Sequence, residues 1–432
     1  MNHSKTLFAL IALAAAGSAP AGAQVRCAVP TPKVIFQPNK NADTGEGLIM
    51  TSFFSTKEAK QCVGMTNLQG VPNWSYCSGG HLFMTRAVQG GTLLLITNDN
   101  FTDYAVSEIN LAGTTLHSIN EAKANTQLAN QGDQSIIDFN HEAMRLPSGN
   151  TAVIAHNEAL YTNVQGGTTA NPVDIMGDEV LVLDTNWNVV WNWNAFTCPN
   201  CATALPVSRT ALLGETCQPC AQIDTGGCCP ITLASQANDW LHGNSLTYDS
   251  TDGNLIMSLR SQDWVIKIAY ENGTGDGHIV WVLGNEGSQS AAPSFTMINT
   301  PNIPLPWFSH QHDVEVWTAE SPKQITLFDN GNTRRSTDPT ANSRGQALTI
   351  NETAMTADIH INVDFPFYSS AYGTSQILDN GNYWWQAGAA PGPDNTRSYE
   401  YLPSGFTGAT AYAIQFADTA YRSFRLDAAS GF

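Results

Sequence analysis

Tight turns built on Gly and Asn, each set between two short apolar runs, recur along this chain and restrict it to a fold made of hairpins. Leu146-Pro147-Ser148-Gly149-Asn150 leads into Thr151-Ala152-Val153-Ile154-Ala155, Asp252-Gly253-Asn254 into Leu255-Ile256-Met257-Ser258, and Leu378-Asp379-Asn380-Gly381-Asn382 into Tyr383-Trp384-Trp385. Gln89-Gly90-Gly91 before Thr92-Leu93-Leu94-Leu95-Ile96 is a weaker copy. Glycine accepts the left-handed backbone such turns demand, and the β-branched and aromatic residues beside it favour strands.

The copies continue alike. Val180-Leu181-Val182-Leu183-Asp184 runs through a turn to Val189-Val190-Trp191, and Val265-Ile266-Lys267-Ile268 does the same to Ile279-Val280-Trp281. The unit is therefore four short strands. Irregular repetition of such a unit predicts an all-β β-propeller of six four-stranded blades, in which loops distant in sequence meet at a central channel. A two-sheet β-sandwich is the competing architecture. The expected limits are a signal peptide over 1–23, an N-terminal extension over 24–46, and the propeller over 47–432, interrupted by a Cys-rich loop insertion at 197–237. Ser55 to Gln61 and Glu352 to Asp358 are the best short helical candidates.

Charged residues are only 13 % of the chain and the formal net charge is −18. The negative field opposes nucleic acid and anionic membrane surfaces as partners. Lys5, the apolar run Leu7 to Ala16 and the small residues Ala21-Gly22-Ala23 read as a secretory leader too short to span a bilayer, so export to a bacterial periplasm is expected. Nothing else is long and apolar enough for a membrane span.

Of nine cysteines, Cys198, Cys201, Cys217, Cys220, Cys228 and Cys229 crowd into the insertion, while Cys27, Cys62 and Cys77 lie near the N-terminus. The two Cys-x-x-Cys pairs have zinc-site spacing, but an oxidising compartment favours disulfides. The connectivity is open, and the odd total leaves one thiol over.

Polar chemistry stands out against this background. Asp239-Trp240-Leu241-His242-Gly243-Asn244-Ser245 precedes Ser258-Leu259-Arg260-Ser261, and further histidines occur in Asn140-His141-Glu142 and His310-Gln311-His312-Asp313. His141, His242 and His312 sit just before the inner strand of a repeat, the position facing a propeller channel. His360, His156 and His278 lie elsewhere and read as structural or exposed. Converging histidines suit a metal, with Asp138, Glu142 and Asp313 as supporting carboxylates. Arg260 argues instead for an anion, because its planar fork matches sulfate, phosphate or carboxylate oxygens. No metal site and no cofactor is expected. The chain has no Gly-x-Ser-x-Gly elbow, no phosphate-cradling glycine loop and no His-Glu-x-x-His. Asp249 to Gly253 has a faint likeness to a calcium loop that a hairpin turn explains better.

Taken together, Asp239 to Ser245, Ser258-Leu259-Arg260, Trp281-Val282-Leu283-Gly284, Gln311-His312-Asp313, Phe328-Asp329-Asn330-Gly331 and Gln376 to Asn382 resemble, in order and spacing, the arylsulfate sulfotransferase family of secreted β-propellers. The resemblance covers residues 45 to 390, approximately. It implies sulfuryl transfer from a phenolic sulfate ester to a phenolic acceptor, ping-pong through a sulfohistidine and without a nucleotide sulfate donor. The sulfated position matches His312, and other active-site positions match His141, His242, Asn244 and Arg260.

On that reading Arg260, His242 and Asn244 hold the sulfuryl oxygens, and His141 or His242 moves the proton of the phenol. His310 would share a strand face with His312 and is its rival as nucleophile. Trp240, Trp307 and Phe308 are candidates to flank an aryl ring, with core packing the equal alternative. Members with an N-terminal β-sandwich domain use it in dimerisation. Too few residues precede the first repeat here for such a domain, so monomer and homodimer both remain open. A sulfate-ester hydrolase or lyase with the same anion pocket, and a non-catalytic binding propeller, are the other functions compatible with these residues.

Overall fold

The Gly/Asn turns close hairpins of one kind. Leu146 N–H donates to Asn150 O and Gly149 N–H to Leu146 O, at 2.8 and 2.9 Å, and Leu378, Asn382 and Gly381 repeat the pattern at 2.8 Å for both bonds. Gly149 and Gly381 have φ of +88° and +81°, where an L side chain would be strained. The computed structural model describes residues 30–36, 47–54, 61–78, 81–99, 103–197, 205–218, 230–300, 303–318 and 322–426. The expected leader, the helical candidate Ser55 to Gln61 except for Gln61, which opens a strand, and six of the nine cysteines (Cys27, Cys198, Cys201, Cys220, Cys228 and Cys229) lie outside them.

Six sheets form a six-bladed β-propeller, as the repeats predict. The inner strands of blades 1 to 6 are Thr419–Leu426, His81–Val88, Asp138–Arg145, Gly243–Asp249, His312–Trp317 and Thr374–Ile377. Each touches the next, and the last touches the first, so they line the axis as a closed ring. Closure comes from the C-terminal strand, which pairs Leu426 with Leu48 and Arg425 with Ile49 and completes a blade begun at the other end of the chain. Extra strands widen three blades. Lys33–Phe36 adds to the outer edge of blade 6, Thr296–Ile298 to blade 5, and Thr216–Cys217, from within the Cys-rich region, with Ala237–Asp239, where that region ends, to blade 3.

The core lies in the seams between blades, which explains why strands read as unbroken apolar runs. Successive side chains point to opposite faces, and both faces of a blade are covered. Leu93 and Leu95 pack toward blade 1, while Leu94 and Ile96 pack toward blade 3. Val153 likewise joins the seam with blade 2, and Ile154 the seam with blade 4. Each such buried aliphatic contributes about 1.5–3 kcal/mol relative to exposure.

One local expectation fails. Residues 352–355 form a turn in which the Asn351 side chain accepts Thr353 and Ala354 N–H, and strand Thr356–Asp364 follows, so no helix forms there. Helices occur instead at Glu121–Gln131 and Asn332–Thr337. The first is capped by Asn120, which accepts Lys123 N–H at 3.0 Å, and buries only Ala124 and Leu128. That apolar stripe is too thin to read as a helical period.

Candidate active site in the propeller channel

Bulges bring the site together. In blade 3 the register steps from Val153↔Ala143 to Ile154↔Asn140, leaving His141 and Glu142 unmatched across the ladder. Asn244 is the extra residue in blade 4, Tyr421 in blade 1, and Asp313 with Val314 oppose Leu327 alone in blade 5. An extra residue bends a strand and re-aims its side chains. The backbone is also left-handed at His141, His242, His310, Asp313 and Tyr372, with φ between +50° and +62°. Non-glycine residues hold that conformation only where their surroundings compel it.

His312 opens its strand and is 2 % exposed. Its Nδ1 lies 2.7 Å from Asn330 Oδ1. The Asn330 amide nitrogen donates to the carbonyls of Ser369 and Tyr372, at 2.8 and 3.0 Å, which fixes the amide oxygen toward the histidine. Nδ1 must therefore carry the proton, and Nε2 the lone pair. Burial, then the charge of Arg260, holds the His312 pKa well below the ordinary histidine value, with His242 and Arg422 adding to the effect.

His141 repeats this design. Its Nδ1 meets Asn140 Oδ1 at 2.8 Å, and Asn140 donates to Asp138 at 3.1 Å. Burial, then His242, His156 and His312, pushes its pKa well down. The rings of His141 and His242 lie 4.7 Å apart at 63°. His242 differs from both, since its Nδ1 contacts the Asp239 carboxylate at 2.6 Å and its side chain is 24 % exposed. Burial would raise the Asp239 pKa, but the charge and hydrogen bond of His242 hold it below the usual carboxylate range.

Strand Asn254–Leu259 ends one residue before Arg260, which starts a 3-10 turn rather than continuing the strand. The Arg260 charge acts to lower the pKa values of His312, Tyr368 and Tyr372, so the guanidinium lies within electrostatic reach of the His312 imidazole. Asn244 is fully buried and donates an amide hydrogen to Gln311 O at 2.8 Å, bracing the segment that enters His312. Gln311 in turn donates to Ser258 and to Trp264 O.

His310 does not share a face with His312. Its left-handed backbone turns the ring between Asp263, 2.8 Å from Nδ1, and Glu215, which contacts Nε2. Against the lowering effect of burial, those two carboxylates raise its pKa. Both His310 ring nitrogens are thus engaged by carboxylates, unlike those of His312.

Several site residues escaped the sequence reading. Arg422, fully buried on the closing strand, pairs with Glu142 and, at 2.8 Å, with Asp313, and also donates to Asn244 O. Two arginines in an otherwise uncharged final strand, Arg422 and Arg425, were the available signal. Tyr421 and Tyr372, whose rings are 5.7 Å apart, flank His141 and His312 respectively. His156 is no bystander either. It is buried against Asp138 at 2.9 Å, beside His141, and against burial the carboxylates of Asp138, Asp178 and Asp239 raise its pKa to about 9.

The remaining candidates lie elsewhere. His360 bonds Tyr383 Oη on an outer strand, and His278 sits exposed on Asp276. Trp240 stacks on Phe196 in the seam between blades 3 and 4, and Trp307 and Phe308 pack in the seam between blades 4 and 5, so these three are core rather than walls for an aryl ring. Asp249, Asp252 and Glu352 converge among the described residues with spacing a cation would fit. The Lys267 ammonium contacts all three carboxylates, and Lys323 contacts Asp249 and Glu352, so the turn at Asp249 is a salt-bridged hairpin. None of the described cysteines Cys62, Cys77 and Cys217 is a free thiol. No described helix is long and apolar enough to cross a membrane.

No curated protein sequence matches the chain. Among solved structures it is similar to a protein of unknown function from Bacteroides caccae (11 % identity, TM-score 0.44, 87 % of this chain and 98 % of that one). It is also similar to a periplasmic gluconolactonase of Pseudomonas aeruginosa (8 %, TM-score 0.42, 88 % and 98 %). A third is a putative 6-phosphogluconolactonase of Bacteroides fragilis (11 %, TM-score 0.40, 90 % and 100 %). All three are too distant for their activities to bear on this site. Residues 37–418, nearly the whole chain, match the sequence model of the arylsulfotransferase (ASST) family. With the six blades and the sequence resemblance already described, that match settles the kinship: the chain belongs to the arylsulfotransferase family.

Proposed function

We propose that this propeller moves a sulfuryl group from a phenolic sulfate ester to a phenolic acceptor by way of a sulfated His312, in two half-reactions and without a nucleotide sulfate donor. Family membership supports aryl sulfotransfer in general. The observation that carries the finer reading is the tautomer that Asn330 imposes on His312, a buried imidazole kept neutral with its lone pair on Nε2.

In the first half-reaction the Nε2 lone pair attacks sulfur, the N–S bond forms and the bond from sulfur to the aryl oxygen breaks. Arg260 faces the non-bridging oxygens and stabilises the charge that develops as the bonds exchange. His242, backed by Asp239, gives a proton to the departing phenolate and recovers it from the acceptor phenol, whose oxygen then takes the sulfuryl group. The N–S bond breaks and His312 returns to its neutral form. His141, whose Nδ1 meets the Asn140 amide oxygen, is the alternative proton carrier. Asn244, which braces Gln311, is better suited to positioning His312 than to grasping the ester.

The leader-like residues 1–23 and the absence of free thiols among the described cysteines support export to a bacterial periplasm. The decisive assay uses a chromogenic aryl sulfate with and without added phenol. Release of chromophore that depends on the phenol, with a sulfated His312 peptide recovered when donor is given alone, supports the scheme. Release indifferent to the phenol, with no modified histidine, would point to hydrolysis instead.

A further inference from the structure

The Cys-rich region does more than decorate blade 3. Its segment 209–217 lies over the turn that carries Arg260. Leu212 N–H donates to Ser261 O at 3.0 Å, Gln262 donates to Thr210 O at 3.3 Å, and Arg209 bonds Gln262 while stacking on Trp264. Glu215 O accepts Asp239 N–H at 3.0 Å, so the same segment braces the partner of His242. The Glu215 side chain then reaches inward. Its Oε1 contacts His310 Nε2 and lies 3.6 Å from an Arg260 terminal nitrogen, while Oε2 accepts Leu213 N–H at 3.2 Å.

This placement sets the charge a ligand must carry. Arg422 is matched by Glu142 and Asp313, and His310 by Asp263, so among the described residues the cation facing a ligand beside His312 is Arg260. Glu215 already offsets part of that charge. A sulfate monoester brings a single negative charge, whereas a phosphate monoester of the same shape brings nearly two at neutral pH. In a half-buried site a second negative charge beside a carboxylate costs much more than it would in water.

We propose that Glu215, delivered by the Cys-rich region, is a specificity residue that admits monoanionic tetrahedral esters beside Arg260 and excludes dianionic ones. The inference rests on the sulfuryl-transfer reading for the identity of the ligand, but its test does not require transfer. Benzenesulfonate and phenylphosphonate are suitable probes. Both present three oxygens on a tetrahedral centre, neither has a group to transfer, and at alkaline pH they carry one and two charges.

Calorimetry on the full-length protein should show benzenesulfonate bound at least about tenfold more tightly than phenylphosphonate at alkaline pH. Glu215→Gln should cut that preference by about the same factor. Should the variant not fold, the unmodified protein still decides the matter. Its preference should shrink at mildly acidic pH, where phenylphosphonate becomes a monoanion. A preference unchanged by both Glu215→Gln and acidification overturns the proposal, as does equal affinity for both probes at alkaline pH or no affinity for either. Aryl sulfate turnover measured on the same preparation separates the two readings. Selective binding without transfer would keep the role of Glu215 and sink the transferase scheme, and transfer without charge selectivity would do the reverse.

Discussion

Asn330 holds His312 in a single tautomer. Its amide oxygen meets Nδ1 at 2.7 Å because its nitrogen is bound to two backbone carbonyls, those of Ser369 and Tyr372. Replacing Asn330 with Asp would put a carboxylate against Nδ1, favour the imidazolium and raise the pKa of His312. The acid limb of the pH–rate profile should then move to higher pH, and Asn330→Ala should lower turnover by about 10²–10⁴-fold through loss of the tautomer. An unmoved acid limb in Asn330→Asp would remove this role.

His312→Ala should abolish phenol release while leaving the thermal midpoint within a few degrees of the parent, since the ring bonds a single side chain at the channel wall. His242→Ala should slow transfer by about 10²–10⁴-fold, with the loss smaller for donors whose phenolate is a good leaving group. A flat dependence on the leaving-group pKa in both proteins would exclude His242 as the proton donor.

Arg422 joins the last strand to blades 3 and 5 through Glu142 and Asp313. Arg422→Met would take from Asp313 its buried cation and leave Glu142 to the half-buried Arg86, and should cost about 3–5 kcal/mol of unfolding free energy. Denaturant titration gives the value directly, and a loss under about 1 kcal/mol would mean that water or rearrangement rescues the carboxylates.

The pH dependence of stability should carry the signature of His156. Its folded pKa, about 9, lies above its unfolded value, so protonation favours the folded state. That stabilisation is complete below the unfolded pKa of about 6.5 and is lost as pH rises through about 9, for a total of about 3 kcal/mol. His156→Gln should flatten the stability profile between those limits. An identical slope in both proteins would assign it to other groups.

Legibility varied by element in a way that follows interaction range. The hairpins at Gly149 and Gly381 were plain because turn chemistry is local, and the run Thr92 to Ile96 after Gly90-Gly91 was legible as a strand for the same reason. The helix Glu121–Gln131 was hidden because it buries only two side chains. His141, His242 and His312 could be read as strand-entrance residues of a repeat, yet Arg422, His156 and Glu215 could not. Arg422 acts through partners on other blades, Glu215 reaches from the Cys-rich region to His310 and Arg260 on other blades, and His156 is set by carboxylates on neighbouring strands of its own blade.

The sequence alone therefore determined that this chain folds as a propeller and that His242 and His312 stand where an inner strand begins, since turns and alternation are set by neighbours a few residues apart. His141 is instead the fourth residue of its strand. Only the tertiary structure decided what each histidine can do. An expected strand face shared by His310 and His312 dissolved into a left-handed turn that gives one ring to two carboxylates and the other to an amide. Bulges and ring closure, not spacing, choose those partners, because one extra residue in a strand redirects its side chains and the closing strand comes from the far end of the chain.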